Sequence, residues 1–135
     1  MNQPAADEPL PSCNFRVSWG DRQITSISSV SALRLDVGTD QEMQPGPVEF
    51  TRACSGDNAF EIWAADPRPQ AVHVAVHDAG GVPRLTFLLE DAVPASYIAL
   101  DGLDADSAQT ARERLVVQCR AIRRMANPAN DARQP

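Results

Sequence analysis

The 135-residue chain contains no lysine, and all 12 of its basic residues are arginines. It has no apolar run of about 18 residues, the length that a membrane-spanning helix requires, so no membrane anchor is expected. Its first residues contain neither a positive charge nor an apolar stretch, so no signal peptide is predicted. The three cysteines are odd in number and far apart, which is typical of reduced thiols in a cytosolic protein. These absences, together with the length, predict one cytoplasmic domain.

Charge is distributed unevenly along the sequence. Residues 1–111 carry six arginines and 16 carboxylates, a net charge of −10, whereas residues 112–135 carry six arginines and two carboxylates, a net charge of +4. A protein that coats nucleic acid presents a concentrated basic surface on its fold. The acidic body of this chain therefore argues against a direct and specific nucleic-acid contact.

Composition also predicts where the folded domain lies. Residues 1–12 contain three prolines and little that a core could bury, and residues 126–135 are similarly poor in apolar side chains. Such segments cannot offset the entropy lost on ordering. We expect disordered tails at residues 1–12 and 126–135 and a single folded domain over residues 13–125.

Most of that domain is predicted to be β-structure, because apolar and polar residues alternate in successive short runs. Gly20-Asp21 predicts the turn of a first hairpin. One short helix is predicted over Asp57–Ala65, since Phe60 and Trp63 fall on one helical face and Pro67 ends the segment. Residues 38–47 are predicted to form a loop. The strand runs, about seven in all, include residues 14–19, 23–27, 33–37, 48–52, 72–77, 84–90 and 97–100.

The last segment fits a helix and a strand about equally well. Its alanine and arginine content favours a helix by propensity, and several apolar residues recur at helical spacing. As a strand, the segment instead places Leu115, Val117, Cys119 and Ala121 on one face and Arg112, Arg114, Arg120 and Arg124 on the other. Periodicity alone leaves both interpretations open.

Few residues are suited to catalysis or to metal binding. The sequence has no Gly-rich phosphate loop and no GxSxG, CxxC or HExxH motif. His73 and His77 share one face of a predicted strand about 13 Å apart, too far for one metal ion to bridge, and we interpret both as polar-face residues. Cys54 and Cys119 have no histidine nearby in sequence, and Asp101–Asp106 lacks the downstream glutamate of a calcium loop. We therefore expect no catalytic residue, no metal, no cofactor and no enzymatic activity.

Several short motifs occur in a collinear order over residues 14–124. They are Phe15-Arg16-Val17, Ser29-Val30-Ser31-Ala32-Leu33, Val48, Phe50 and Arg52 ahead of the tryptophan-containing helix, the hairpin Val72–Leu89, Ala92-Val93-Pro94, Leu103–Ser107 and Ala111–Val117. In this order they resemble the phage T4-like tail tube family, the inner tube proteins of contractile tails and contractile injection systems.

The resemblance implies a mainly β fold, a small antiparallel β-barrel or sandwich with one short α-helix, and it implies that the last segment is a strand. It also implies a structural subunit that forms homo-hexameric rings, which stack into a tube and assemble with sheath and baseplate proteins. Edge strands can continue their sheet into a neighbour, and six-fold closure removes the exposed edges. The alternative left open is a β-barrel module outside any tube that binds a partner or ligand.

The sequence departs from the family pattern at one place. Tube proteins of the family carry a longer segment between the second and third strands, which contacts neighbouring subunits and the next ring, whereas here only the 12 residues from Asp36 to Pro47 separate Leu35 from Val48. The shortening predicts a specialised ring that initiates or terminates a tube. We expect subunit contacts from this segment and from the arginine face of the last strand, the candidates being Asp36, Gln44, Pro45, Gly46, Arg112, Arg114, Arg120 and Arg124.

Overall fold

The computed structural model describes residues 9–38 and 43–125. Of the predicted disordered tails, residues 1–8 and 126–135 lie outside the described residues, and their disorder stays a prediction. Within the described ranges, no helix is long and apolar enough to span a membrane.

Ten strands and one helix form the described part of the chain. In chain order they are β1 (Phe15–Trp19), β2 (Arg22–Ile24), β3 (Ile27–Val30), β4 (Leu35–Asp36), β5 (Gln44–Pro45), β6 (Val48–Ala53), α1 (Ala59–Ala65), β7 (Gln70–His77), β8 (Pro83–Ile98), β9 (Arg112–Gln118) and β10 (Ala121–Met125). The mainly β fold with one short helix is therefore confirmed. The count of about seven strands was too low, because β3 was not predicted, β5 lies in the predicted loop and the last segment forms two strands.

Two antiparallel sheets share the long strand β8. The first sheet has the order β2-β1-β7-β8-β10, and the second has the order β3-β6-β9-β8. The bend lies between Leu89, which is opposite Val72, and Ala92, which is opposite Gln70, where β8 has one residue more than β7. Asp91, in this bulge, has a positive φ of 51°. Such an extra residue bends a strand, and here it carries β8 from one sheet into the other.

The bend in β8 also explains the last segment of the chain. The resemblance correctly implied strand structure there, and Leu115 and Val117 are buried as the strand interpretation expected, but the segment is divided into the two strands β9 and β10. β9 pairs with the second half of β8 and β10 with the first half, both antiparallel and in the same register, so the segment follows β8 and is interrupted only at Cys119 and Arg120. The backbone N–H of Arg120 donates to the carbonyl oxygen of Glu90 at 2.8 Å and fixes this interruption beside the bulge.

Several further boundaries differ from the predictions. The turn of the first hairpin is as expected, with Gly20 and Asp21 at positive φ values of 60° and 63°, but its second strand is Arg22–Ile24 instead of residues 23–27. The run at 97–100 is no separate strand but the end of β8. The strand expected at 33–37 is reduced to β4. The helix begins at Ala59 instead of Asp57, after Asn58 as its N-cap residue, and the Asp57 carboxylate accepts the Ala59 N–H at 3.0 Å.

The core lies between the two sheets and under α1. The ring of Trp19 lies 4.8 Å from that of Trp63 and 5.9 Å from those of both Phe50 and Phe60, measured between centroids. Phe60 and Trp63 are the buried aromatic residues of α1. The helix is therefore held to the sheets by aromatic packing, which stabilises it although it has only seven residues.

Arg52 is buried inside this aromatic core, with a relative exposure of 1%. Its Nε lies 2.7 Å from Oε2 of Glu113 on β9, which is itself buried. Its Nη2 donates to the carbonyl oxygen of Asp57 at 2.7 Å, and its guanidinium carbon lies 4.5 Å from the centroid of the Phe60 ring. One side chain of β6 is thus bound to β9 and to the start of α1.

Tyr97 completes the environment of the Glu113 carboxylate. Its hydroxyl donates to Oε1 of Glu113 at 2.8 Å, so both carboxylate oxygens have partners. Because a buried charge is tolerated only where it is paired and hydrogen-bonded, these contacts fix the register of β6, β8 and β9 together.

Removing one partner of the buried ion pair is expected to destabilise the fold strongly. Arg52→Met should lower the free energy of unfolding by about 3–5 kcal/mol, because Glu113 is then left buried without a counter-charge. The control is Arg123→Met, which breaks the Arg123–Glu90 pair of a 64% exposed arginine and should cost less than about 1 kcal/mol. Urea unfolding followed by tryptophan fluorescence measures both. Equal effects of the two substitutions would contradict a special role for the buried pair.

The titration of Tyr97 gives a second test of this network. Burial raises the pKa of Tyr97 to about 12, and the hydrogen bond to Glu113 and the charge of that carboxylate act in the same direction. Tyr97 is the only tyrosine, so the ultraviolet absorbance of tyrosinate reports on it alone. Its stabilising contribution should be complete below about pH 10, the unfolded pKa, and be lost as the pH rises towards 12.

The same titration in concentrated urea serves as the control and should have its midpoint near the ordinary tyrosine value of about 10. A folded protein that titrates at that same value would show that Tyr97 is not held by Glu113.

Candidate subunit-contact site

The segment predicted to form a contact loop is a short hairpin of β4 and β5. Asp36 is opposite Gln44 and Leu35 is opposite Pro45, and the N–H of Gly46 donates to the carbonyl oxygen of Arg34 at 2.9 Å. The four predicted residues of this segment, Asp36, Gln44, Pro45 and Gly46, therefore lie together. The Asp36 carboxylate is paired with the exposed Arg34 at 3.2 Å.

Two apolar side chains flank the end of this hairpin. Val37 is 80% exposed and Met43 is 55% exposed. Exposed apolar side chains of this kind are typical of a contact surface, and the hairpin lies beside β10. The structure thus brings the hairpin close to the strand that carries Arg124.

The four arginine candidates differ in their ion pairs. Arg114 on β9 lies 2.6 Å from Asp101 and 3.8 Å from Glu49, and Arg120 between β9 and β10 lies 2.7 Å from Asp91. Both are therefore engaged by carboxylates of their own chain. Arg112 at the start of β9 and Arg124 on β10 are exposed and have no ion pair among residues 9–38 and 43–125. The role of these four arginines in subunit contacts stays a prediction.

The sheet order shows which strands can pair with another chain. In the described part of the molecule the first sheet ends at β2 and β10, and the second ends at β3 and at the second half of β8. Such edges leave backbone N–H and C=O groups unpaired, which allows a second chain to add to the sheet. No sequence pattern distinguishes edge strands from central ones here, because the order depends on long-range pairing.

A second surface that the sequence patterns did not indicate lies in the connection between β8 and β9. Leu103 is 77% exposed and Leu100 is 44% exposed in this segment of otherwise small and acidic residues. Two leucines in a turn-rich acidic segment were the available signal. Two residues alone establish no periodicity, so they do not predict a buried face.

The histidines and cysteines are by residue type candidates for catalysis or metal binding, and the structure shows how buried they are. His73 is half-buried, whereas His77 is buried, with Nδ1 3.1 Å from the carbonyl oxygen of Gly81 in the connection to β8. His77 is therefore not the exposed polar-face residue that the sequence predicted. Burial raises the pKa of Cys119. No group of three or more histidine, cysteine or acidic side chains in the described ranges could hold a metal ion.

An open groove of about 600 Å³ lies beside the turn of the first hairpin. Its lining includes Trp19, Arg22, Gln70 and His73. This groove is where a ligand would bind if the chain were a ligand-binding β-barrel module instead of a tube subunit. It is widely open to solvent.

Comparison with known proteins agrees with this architecture. No protein-family model and no curated protein matches the sequence. Solved structures do match. A chain in the sheath/tube terminator of PVC, an extracellular contractile injection system in its extended state, matches with a TM-score of 0.77 and 20% identity, over 90% of this chain and all of that one. This chain has the tail-tube fold.

Two further structures have the tail-tube fold in common with this chain. A chain in the tube-terminating cap of the anti-feeding prophage matches with a TM-score of 0.75 and 18% identity, over 93% of this chain and 97% of that one. Hcp1 from Flavobacterium johnsoniae matches with a TM-score of 0.63 and 12% identity, over 84% of this chain and 95% of the other. The resemblance of the sequence motifs to tail tube proteins is thereby confirmed at the level of the fold.

Proposed function

We propose that this chain is a structural subunit of the inner tube of a phage tail or contractile injection system. The observation that carries the proposal is the tail-tube fold over at least 90% of the chain, matched to nearly the whole of the terminator and cap chains. The described residues form strands, turns and a packed core, which is typical of a structural subunit. We also propose that the chain has no enzymatic activity and that it assembles in the cytosol.

Six copies are proposed to close into a ring. The free edges of β2, β10 and β3 and the exposed apolar residues of the hairpin support self-association. In a closed ring, one surface of every subunit contacts a different surface of the next subunit. No exposed edge is then left for unlimited aggregation. Copies of the same chain are therefore its first partners.

The ring is proposed to be a specialised one at an end of the tube. The hairpin between Leu35 and Val48 has strands of only two residues each, which gives little length for reaching the next ring. The matches to a tube terminator and to a terminating cap support this role. Chains in the PVC sheath-tube complex and in the anti-feeding prophage baseplate also match, with TM-scores of 0.71 and 0.67. They support sheath and baseplate proteins as further partners.

The assembly state of the purified chain tests the proposal. We expect rings of six 14.6 kDa subunits, about 88 kDa, in mass photometry and negative-stain images, and we expect no long tubes from this chain alone. Addition of a tube protein of the same particle should then place the rings at tube ends.

Each outcome separates the parts of the proposal. Long tubes from the chain alone would contradict a specialised ring but support a tube subunit. A strictly monomeric chain over a wide concentration range would contradict the ring and favour the binding module instead.

A further inference from the structure

The connection between β8 and β9, residues 99–111, forms an exposed surface that combines acidic and apolar side chains. We call Leu100, Leu103, Asp104 and Asp106 the acidic loop. The two leucines are 44% and 77% exposed. Asp104 and Asp106 are exposed and have no cationic partner in the described ranges. The loop therefore presents unneutralised negative charge beside apolar surface.

The strand β10 has the opposite character. We call Arg123, Arg124 and Met125 the basic edge. Arg123 is 64% exposed although it pairs with Glu90, and Met125 is 38% exposed. Arg124 has no carboxylate partner within residues 9–38 and 43–125. Among these residues β10 is hydrogen-bonded to β8 alone, so this edge of the first sheet is open.

The two surfaces lie at opposite ends of β9. The acidic loop precedes Arg112, the first residue of that strand, and the basic edge begins beyond Gln118, the last. Seven residues of β-strand span roughly 20 Å, and β9 is held rigidly between β6 and β8. One copy therefore cannot bring its own two surfaces together.

We propose that the acidic loop of one copy docks on the basic edge of the next. Asp104 and Asp106 would neutralise Arg124, and the two leucines would cover Met125, so that charge and apolar surface are complementary on both sides. A contact between two different surfaces of one chain runs head to tail and closes into a ring when the rotation permits. The inference rests on the proposed self-assembly and names the contact that holds it together.

Charge reversal tests this contact in the full-length chain. Asp104→Arg with Asp106→Arg, and separately Arg124→Glu, should each weaken self-association at least tenfold, because like charges then face each other. The triple variant with all three reversals restores opposite charges and should recover wild-type assembly. The wild-type contact should also weaken with added salt. Sedimentation velocity measures association, and far-UV circular dichroism verifies the fold of each variant.

Matched controls reverse exposed charges elsewhere. Arg16→Glu on β1 and Glu61→Arg on α1 change the net charge in the same two directions and should leave association within about twofold of wild type.

The outcomes distinguish this contact from the assembly on which it rests. A wild-type chain that stays monomeric overturns both the ring and the contact. If the wild-type chain assembles, three results would each contradict the contact alone. The charge reversals leave association unchanged, the control substitutions weaken it equally, or the triple variant does not recover it.

Discussion

A buried arginine in an aromatic core is stable only where its charge and its N–H groups have partners, and this requirement governs how the sheets and helix of this chain meet. Arg52 is bound by the Glu113 carboxylate on β9 and by the Asp57 carbonyl ahead of α1, and it lies against Phe60. A shift of one residue in β6 would turn Arg52 to the outer face and leave Glu113 unpaired. The contacts of Arg52 therefore couple the register of β6 and β9 to the position of α1.

The bend of β8 at Asp91 is the second constraint, because it distributes the chain between two sheets. One strand pairs with β7 and β10 before the bulge and with β9 after it. The basic C-terminal segment is interrupted opposite this bulge and forms β9 and β10. Its described arginines differ in their ion pairs. Arg114 and Arg120 neutralise carboxylates of their own chain, and Arg124 remains available at an open edge.

This division changes how assembly is understood. A uniform arginine face would suggest docking on any acidic neighbour, whereas the proposed contact between the basic edge of one copy and the acidic loop of the next is directional. Directional contacts between unlike surfaces suit a closed ring better than an indefinite aggregate. The short β4–β5 hairpin, beside that same edge, fits a ring with limited reach along a tube axis.

Local patterns were sufficient for several elements and for the fold type. Alternation identified β1, β6 and β7, Gly20-Asp21 identified the first turn, and the collinear motifs identified the tail-tube resemblance, in which Arg52 and Glu113 appeared without a role. Local patterns did not separate β9 from β10, predict the burial of His77, or show which strands lie at edges. Those features depend on bulges and on pairing between residues far apart in sequence, which periodicity does not encode. The union of Arg52 with Glu113, 61 residues later, is likewise a product of tertiary structure, because only the packed core makes a buried charge require its partner.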